Sequence, residues 1–235
     1  MPLQFEVSIS DTLKLALPQL RLVTLEIDLS APAHQLWPST DIPHEAVVEA
    51  EQGLSQSFRA LGYSKEKISQ MPAIQAGRKA YRALGKDPTK YRLSCEKLLR
   101  RYLDNEGFPF YSGQGAPFVD LANLISLGFQ CPVGAVDRAC LSGNLVTVDA
   151  GRPGESFISL SGNPINIDGL IVSRDQLGPF GSTTSDSNRS GIKGETQFIQ
   201  MIVFLLDPTI SRDAVVSYAI NLVKSVDKMV YIREK

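Results

Sequence analysis

The sequence predicts an α+β fold, and two observations carry that prediction. Between residues 45 and 127 apolar side chains recur at three- and four-residue steps, the period of a buried helix face. After Pro132 the texture changes to short apolar runs punctuated by Gly, Asn and Ser, the pattern of strands joined by close turns. The 235 residues, 43% hydrophobic and 21% charged, are enough for one large domain, or one domain with a small appendage, to bury a core.

The elements follow in order. Residues 20–29, rich in branched side chains, predict a strand, and 30–43, with Pro32, Pro38 and Pro43, a loop. Val47, Ala50, Leu54, Phe58 and Leu61 share one helical face that Gly62 closes. A second helix is expected over 73–84, ended by Gly85, and Asp87-Pro88 then turns the chain. Ser94 fits the N-cap of a third helix reaching residue 103, and 118–127 predicts a fourth. Strands are expected at 145–148, 157–160, 165–167, 170–172 and 198–206, a closing helix at 211–223 and a last strand at 229–232. Residues 178–194 are too long and polar for a simple turn, so a functional or mobile loop is expected there.

Charge is concentrated where the helices lie. Residues 78–101 hold Arg78, Lys79, Arg82, Lys86, Lys90, Arg92, Lys97, Arg100 and Arg101 against only Asp87 and Glu96. Nine cations against two carboxylates leave +7 on a chain of net charge -1. Such a stripe suits a polyanion, and equally a solvated helix face. Arg100 and Arg101 also complement a helix C-terminus, which needs no partner.

Several chemistries are excluded. There is no G-x-S-x-G elbow and no phosphate-binding P-loop, and Gly113-Gln114-Gly115 is followed by Phe118 where a dinucleotide pattern needs glycine. His34 and His44 sit in the Pro-rich loop away from any cysteine, and Cys95, Cys131 and Cys140 form no C-x-x-C pair, so neither a metal nor a cofactor is expected. The odd cysteine count and the lack of a basic segment followed by an apolar run read as reduced thiols in the cytoplasm. No apolar stretch approaches the ~20 residues of a membrane span.

Asp120 and Asp137 stand in apolar runs, where a carboxylate requires a partner. Each either lines a polar pocket or accepts backbone N–H groups or pairs with an arginine such as Arg92 or Arg138. Asn123, three residues after Asp120, shares its helix face. Ser182, Thr183, Thr184, Ser185, Ser187 and Arg189 supply hydroxyls and one cation for a small polar ligand, or are simply solvated.

The order of residues is more specific than their charge. Tyr81-Arg82, Gly85, Asp87-Pro88, Lys90-Tyr91-Arg92, Ser94, Glu96, Leu98 and Arg100-Arg101 are followed by Val119-Asp120-Leu121, Asn123 and Ser126-Leu127. Then come Pro132, Ala135-Val136-Asp137, Leu141-Ser142-Gly143, Gly154-Glu155, Leu160-Ser161-Gly162, Ser190-Gly191-Ile192 and Gly194-Glu195-Thr196-Gln197. This series resembles the B3/B4 tRNA-editing domain of the phenylalanyl-tRNA synthetase β subunit, over roughly residues 75–225. The resemblance implies antiparallel β layers packed with helices in a single domain over 1–235, with 75–225 its core and 1–74 an integrated extension.

It further implies binding of a tRNA 3′ end and hydrolysis of a mischarged aminoacyl ester, with tRNA and its amino-acid moiety as partners and neither membrane nor DNA. The expected tRNA contacts are Arg78, Arg82, Lys86, Lys90 and Arg92. The expected pocket holds Asp120, Asn123, Gly134, Asp137, Asp186 and Asn188. Gly134 stands where the family carries a histidine, and Asn188, or alternatively Asp186, where it carries a glutamate. A catalytically inactive relative that binds RNA, an amino acid or a protein is the alternative.

Overall fold

The computed structural model describes residues 5–37, 44–104, 108 and 116–234. The Gly113–Gly115 pattern and positions 38–43 of the Pro-rich loop lie outside them. Ten strands are described: β1 (Glu6–Ile9), β2 (Arg21–Asp28), β3 (Val133–Asp137), β4 (Leu145–Ala150), β5 (Ser156–Ile158), β6 (Pro164–Asn166), β7 (Ile171–Asp175), β8 (Gly178–Ser182), β9 (Phe198–Leu205) and β10 (Tyr231–Glu234). The α-helices are α1 (Asp11–Ala16), α2 (Ala33–Leu36), α3 (Glu45–Ala60), α4 (Pro72–Ala83), α5 (Ser94–Asp104), α6 (Ala116–Phe129) and α7 (Arg212–Val226). The fold is α+β.

Two four-stranded sheets form, in the orders β1-β4-β7-β8 and β10-β2-β9-β3, beside the β5–β6 hairpin. Pairing is antiparallel, as expected, with one parallel pair, β1 with β4. β1 is an edge strand whose partner lies far along the chain, so no hairpin turn imposes the antiparallel direction. The centre of the second sheet is β9, whose eight residues are buried almost throughout. Its near-continuous apolar run is what a strand covered on both faces requires, and truncating Met201 or Leu205 to alanine would cost roughly 2–5 kcal/mol. Helix α6 packs on α7 and β3, and α3 packs on both helices.

Helix α4 starts at Pro72, a residue suited to the first turn, and is capped at Leu84. Gly85 follows at φ +77°. Its N–H donates to Arg82 O at 3.0 Å, and that of Lys86 donates to Tyr81 O at 2.8 Å, a Schellman closure that any side chain would strain by about 1 kcal/mol. Asp87 Oδ1 then accepts from both the N–H and the hydroxyl of Thr89 at 2.8 Å, fixing the turn at Asp87-Pro88. Ser94 is the first residue of α5 instead of its cap, and its N–H donates to Thr183 O at 2.8 Å.

Segments 178–194 and 30–43 carry more structure than a loop. The first begins with β8 and contains a short 3-10 helix, Asn188–Ser190; the second contains α2. Pro179 is tolerated because β8 is an edge strand, irregular in register against β7 between Ser173 and Arg174.

Candidate functional site

A cleft of 680 Å³ opens where α5, α6, β3 and the turn after β8 meet. Helix α5 presents Ser94, Lys97, Leu98 and Arg101, spaced i, i+3, i+4 and i+7 on one face. Helix α6 presents Val119, Ala122 and Asn123, and β3 presents Val133 and Ala135. Leu160, Thr184, Ser185, Asp186 and Ile192 complete the lining. The interior is aliphatic, with cations on one wall and a single carboxyl among the lining residues.

That carboxyl, Asp186, lies beside the outer edge of β3, whose outward backbone groups have no ladder partner. Its Oδ1 sits 3.4 Å from where a Cβ on Gly134 would stand and 2.6 Å from the same point on Gly181. Two glycines therefore make the slot that holds it. The residue as a whole is half-buried, but its carboxyl end is deep, and burial pushes it up to about 7, offset in part by the Ala135 N–H. No cation pairs with it among the described residues. Behind it, a water-sized space between the two sheets is lined by Gly134, Ser173, Gly181, Ser182 and Gln200, whose buried Oε1 has no hydrogen-bond partner among the described residues.

The wall carrying Asp186 is tied to the basic stripe. Thr184 Oγ1 donates to Arg92 O at 3.2 Å, and the Tyr81 hydroxyl hydrogen-bonds with Thr183 Oγ1 and Thr184 Oγ1. Beneath the stripe, the buried Glu96 carboxylate accepts from Arg78 at 3.0 and 2.5 Å and from Arg100 at 3.2 and 3.1 Å, with Arg92 at 3.9 Å. Burial would push Glu96 up, but the Arg78 and Arg100 guanidinium groups hold it below the usual carboxylate range. Lys97 is exposed overall, yet partial burial, then the nearby Arg92, holds its amine below the ordinary lysine range.

The expected residues are thereby separated. Asn123 and Asp186 line the cleft, and Gly134, within β3, faces the Asp186 carboxyl. Asp120 is buried within α6 and already engaged. Asp137 accepts from Ala139 N at 2.9 Å and from Thr196 Oγ1 at 2.7 Å, so it holds the chain after β3. Asn188 is exposed on the short 3-10 helix and does not line the cleft. Asp120, Asp137 and Asn188 thus do not converge with the others.

Among the expected RNA contacts, Arg82, Lys90 and Arg92 are exposed. Arg78 is spent on Glu96, and Lys86 lies largely covered, 3.7 Å from Asp168 and over the Tyr91 ring. Arg189 is consumed by Asp175 and the carbonyls of Cys140 and Gly178. His44 Nδ1 accepts from Ala46 N, capping α3, and His34 Nδ1 lies 2.8 Å from Gly194 O; neither lines the cleft. Burial raises the thiols of Cys95 and Cys131, so neither is a thiolate at neutral pH. No group of ligands suited to a metal is found among the described residues. No helix among them is long and apolar enough to cross a membrane. Sequence reasoning counted Lys97 and Arg101 only as part of the stripe; their spacing with Ser94 and Leu98 was the available sign that they share a face.

No curated protein matches the chain. Among solved structures, an N-terminal fragment of the phenylalanyl-tRNA synthetase β subunit from Pyrococcus horikoshii aligns at 10% identity with a TM-score of 0.47. The alignment covers 98% of this chain and 52% of that one, so the chain spans about half its length. A family model, the B3/4 domain, matches residues 76–224, from within α4 to within α7 and so through every element that lines the cleft. On that match the chain belongs to the B3/4 domain family.

Proposed function

We propose that this protein binds the 3′ end of a mischarged tRNA in the cytoplasm and hydrolyses its aminoacyl ester in trans. The observation that carries the reading is the cleft itself, an aliphatic chamber lined also by cations of the basic stripe and a single carboxyl. The exposed Arg82, Lys90 and Arg92 suit the phosphates of the acceptor end, and Lys97 and Arg101 suit the last phosphate before the ester. The aminoacyl group then enters among Leu98, Val119, Ala122, Val133 and Ala135.

Aminoacyl esters are activated, so a positioned water suffices as nucleophile. The side-chain amide of Asn123 has no hydrogen-bond partner among the described residues and offers a donor for the developing oxyanion. Among the described residues neither imidazole nor thiolate lines the cleft, and this reading needs no covalent enzyme intermediate. The test is deacylation of a panel of misacylated tRNAs by the purified protein. Turnover of at least one class, insensitive to chelators and thiol blockers and to replacement of His34 and His44, is expected. If every misacylated tRNA stays intact at enzyme concentrations equal to substrate, the chain is a binding module.

A further inference from the structure

We propose that Asp186 is the anchor for the substrate's α-ammonium group, and that the cleft accepts aminoacyl groups with aliphatic side chains. The inference rests on the editing reading above and names its substrate class.

A buried carboxylate without a cation is costly, and the chain spends two glycines to keep this one in place. A cation supplied by a ligand relieves that cost. The cations of the cleft are in the mirrored situation. Lys97 and Arg101 have no carboxylate partner among the described residues, although Arg78, Arg92 and Arg100 on the neighbouring faces share Glu96. The cleft thus holds unmet charge of both signs together with aliphatic carbon. An aminoacylated 3′ nucleotide has the matching polarity: a phosphate, then the ester, then an α-ammonium beside a side chain. Placing the phosphate on Lys97 and Arg101 brings the ammonium to the Asp186 wall. The side chain is left against Val119, Ala122, Val133, Ala135, Leu160 and Ile192, which are all aliphatic. No aromatic ring stacks there, and the one amide beside it, Asn123, is given to the oxyanion in the reading above, so tyrosine gains little.

The experiment uses the whole protein and non-hydrolysable 3′-aminoacylamido-3′-deoxyadenosine 5′-monophosphates, titrated by calorimetry. The valyl and isoleucyl amides should bind about tenfold or more tighter than the tyrosyl amide and than N-acetylvalyl amide, which lacks the ammonium. Asp186→Asn should erase the difference between free and N-acetylated forms. Omitting the 5′-phosphate should weaken wild type and leave the Lys97→Gln/Arg101→Gln double variant unaffected. Equal binding of free and N-acetylated amides by wild type overturns the proposal, as does a preference for tyrosyl. So does Asp186→Asn that binds every amide as wild type does but no longer turns over ester, since the carboxyl then acts on the water. Tight ammonium-dependent binding with no deacylation would sink the hydrolase reading and leave this one standing. Deacylation without ammonium dependence does the reverse.

Discussion

The Tyr81 hydroxyl, on a fully buried side chain of α4, lies 2.7 Å from Thr183 Oγ1 beside the cleft wall. Its proton has a determined destination. Thr184 Oγ1 spends its own proton on Arg92 O, so it accepts from Tyr81 at 2.8 Å, and Thr183 donates to the phenol oxygen. Burial pushes the phenol up to about 12, so it stays protonated and able to serve both threonines. Tyr81→Phe leaves the buried Thr183 hydroxyl without this acceptor and should destabilise the fold by roughly 1–3 kcal/mol in chemical denaturation. A variant as stable as wild type would show that the link carries nothing.

Gly181 and Gly134 both face Asp186 but leave different room. A Cβ on Gly181 would stand 2.6 Å from Oδ1, and one on Gly134 3.4 Å. Gly181→Ala must push the carboxyl out of its slot, so it should lower deacylation or amide binding by at least about tenfold. Gly134→Ala asks the neighbour to give by a few tenths of an ångström and should retain activity within about threefold. The order of the two effects, read in parallel assays, is the check.

The exposed cations predict a salt-dependent RNA interface. Arg82→Glu, Lys90→Glu and Arg92→Glu together should weaken tRNA binding by more than about tenfold. They should also flatten the slope of log K against log salt by roughly 0.7–0.9 for each phosphate left unneutralised. Lys86→Glu should act mainly on stability, because Lys86 is covered and lies against Tyr91 and Asp168. Filter binding at several salt concentrations separates these outcomes.

Asp186 also makes a stability prediction, with a definite sign. Its folded value is about 7, against 3.8 for an ordinary aspartate, so the folded chain holds a proton that the unfolded chain releases. The penalty is absent below 3.8, grows as pH rises, and is complete above about 7. Asp186→Asn should therefore raise Tm at pH near 8 relative to wild type and leave it little changed near pH 4. An equal shift at both would mean that the carboxyl titrates normally.

Much of the fold was legible where period and punctuation agreed. Helix α3 follows from Val47, Ala50, Leu54 and Phe58, and β9 from an apolar run too short for a helix. β8 was hidden because Gly178, Pro179 and Gly181 argue against a strand, and only the edge position and the Asp186 slot explain them. β1 is four residues long and is held by a partner 139 residues away, Glu6 opposite Leu145, which no local window contains. The site was legible only in part. A count along the turn does not decide whether Asp186 or Asn188 faces inward. That is decided by the antiparallel bridge between Gly181 and Asp186, and by the hydrogen bond from Leu160 N to Asp186 O. Asp137 looked like a pocket residue because its two bonds, to Ala139 and Thr196, join positions 2 and 59 residues away.

The placement of β2 limits how this protein can be cut or made. It lies between β10 and β9, so the middle of one sheet joins residues 21–28 to the last strand, with Arg233 reaching back to Glu26 at 2.8 Å. A fragment trimmed to 76–224 would lose β1, β2 and β10 together, exposing one long side of β9 as an open, apolar edge prone to pairing with other chains. Loss of β10 alone would leave β9 covered and open the outer side of β2 instead. Tags, truncations and fusions are therefore better tolerated in surface turns such as 152–154 than by resection of either end.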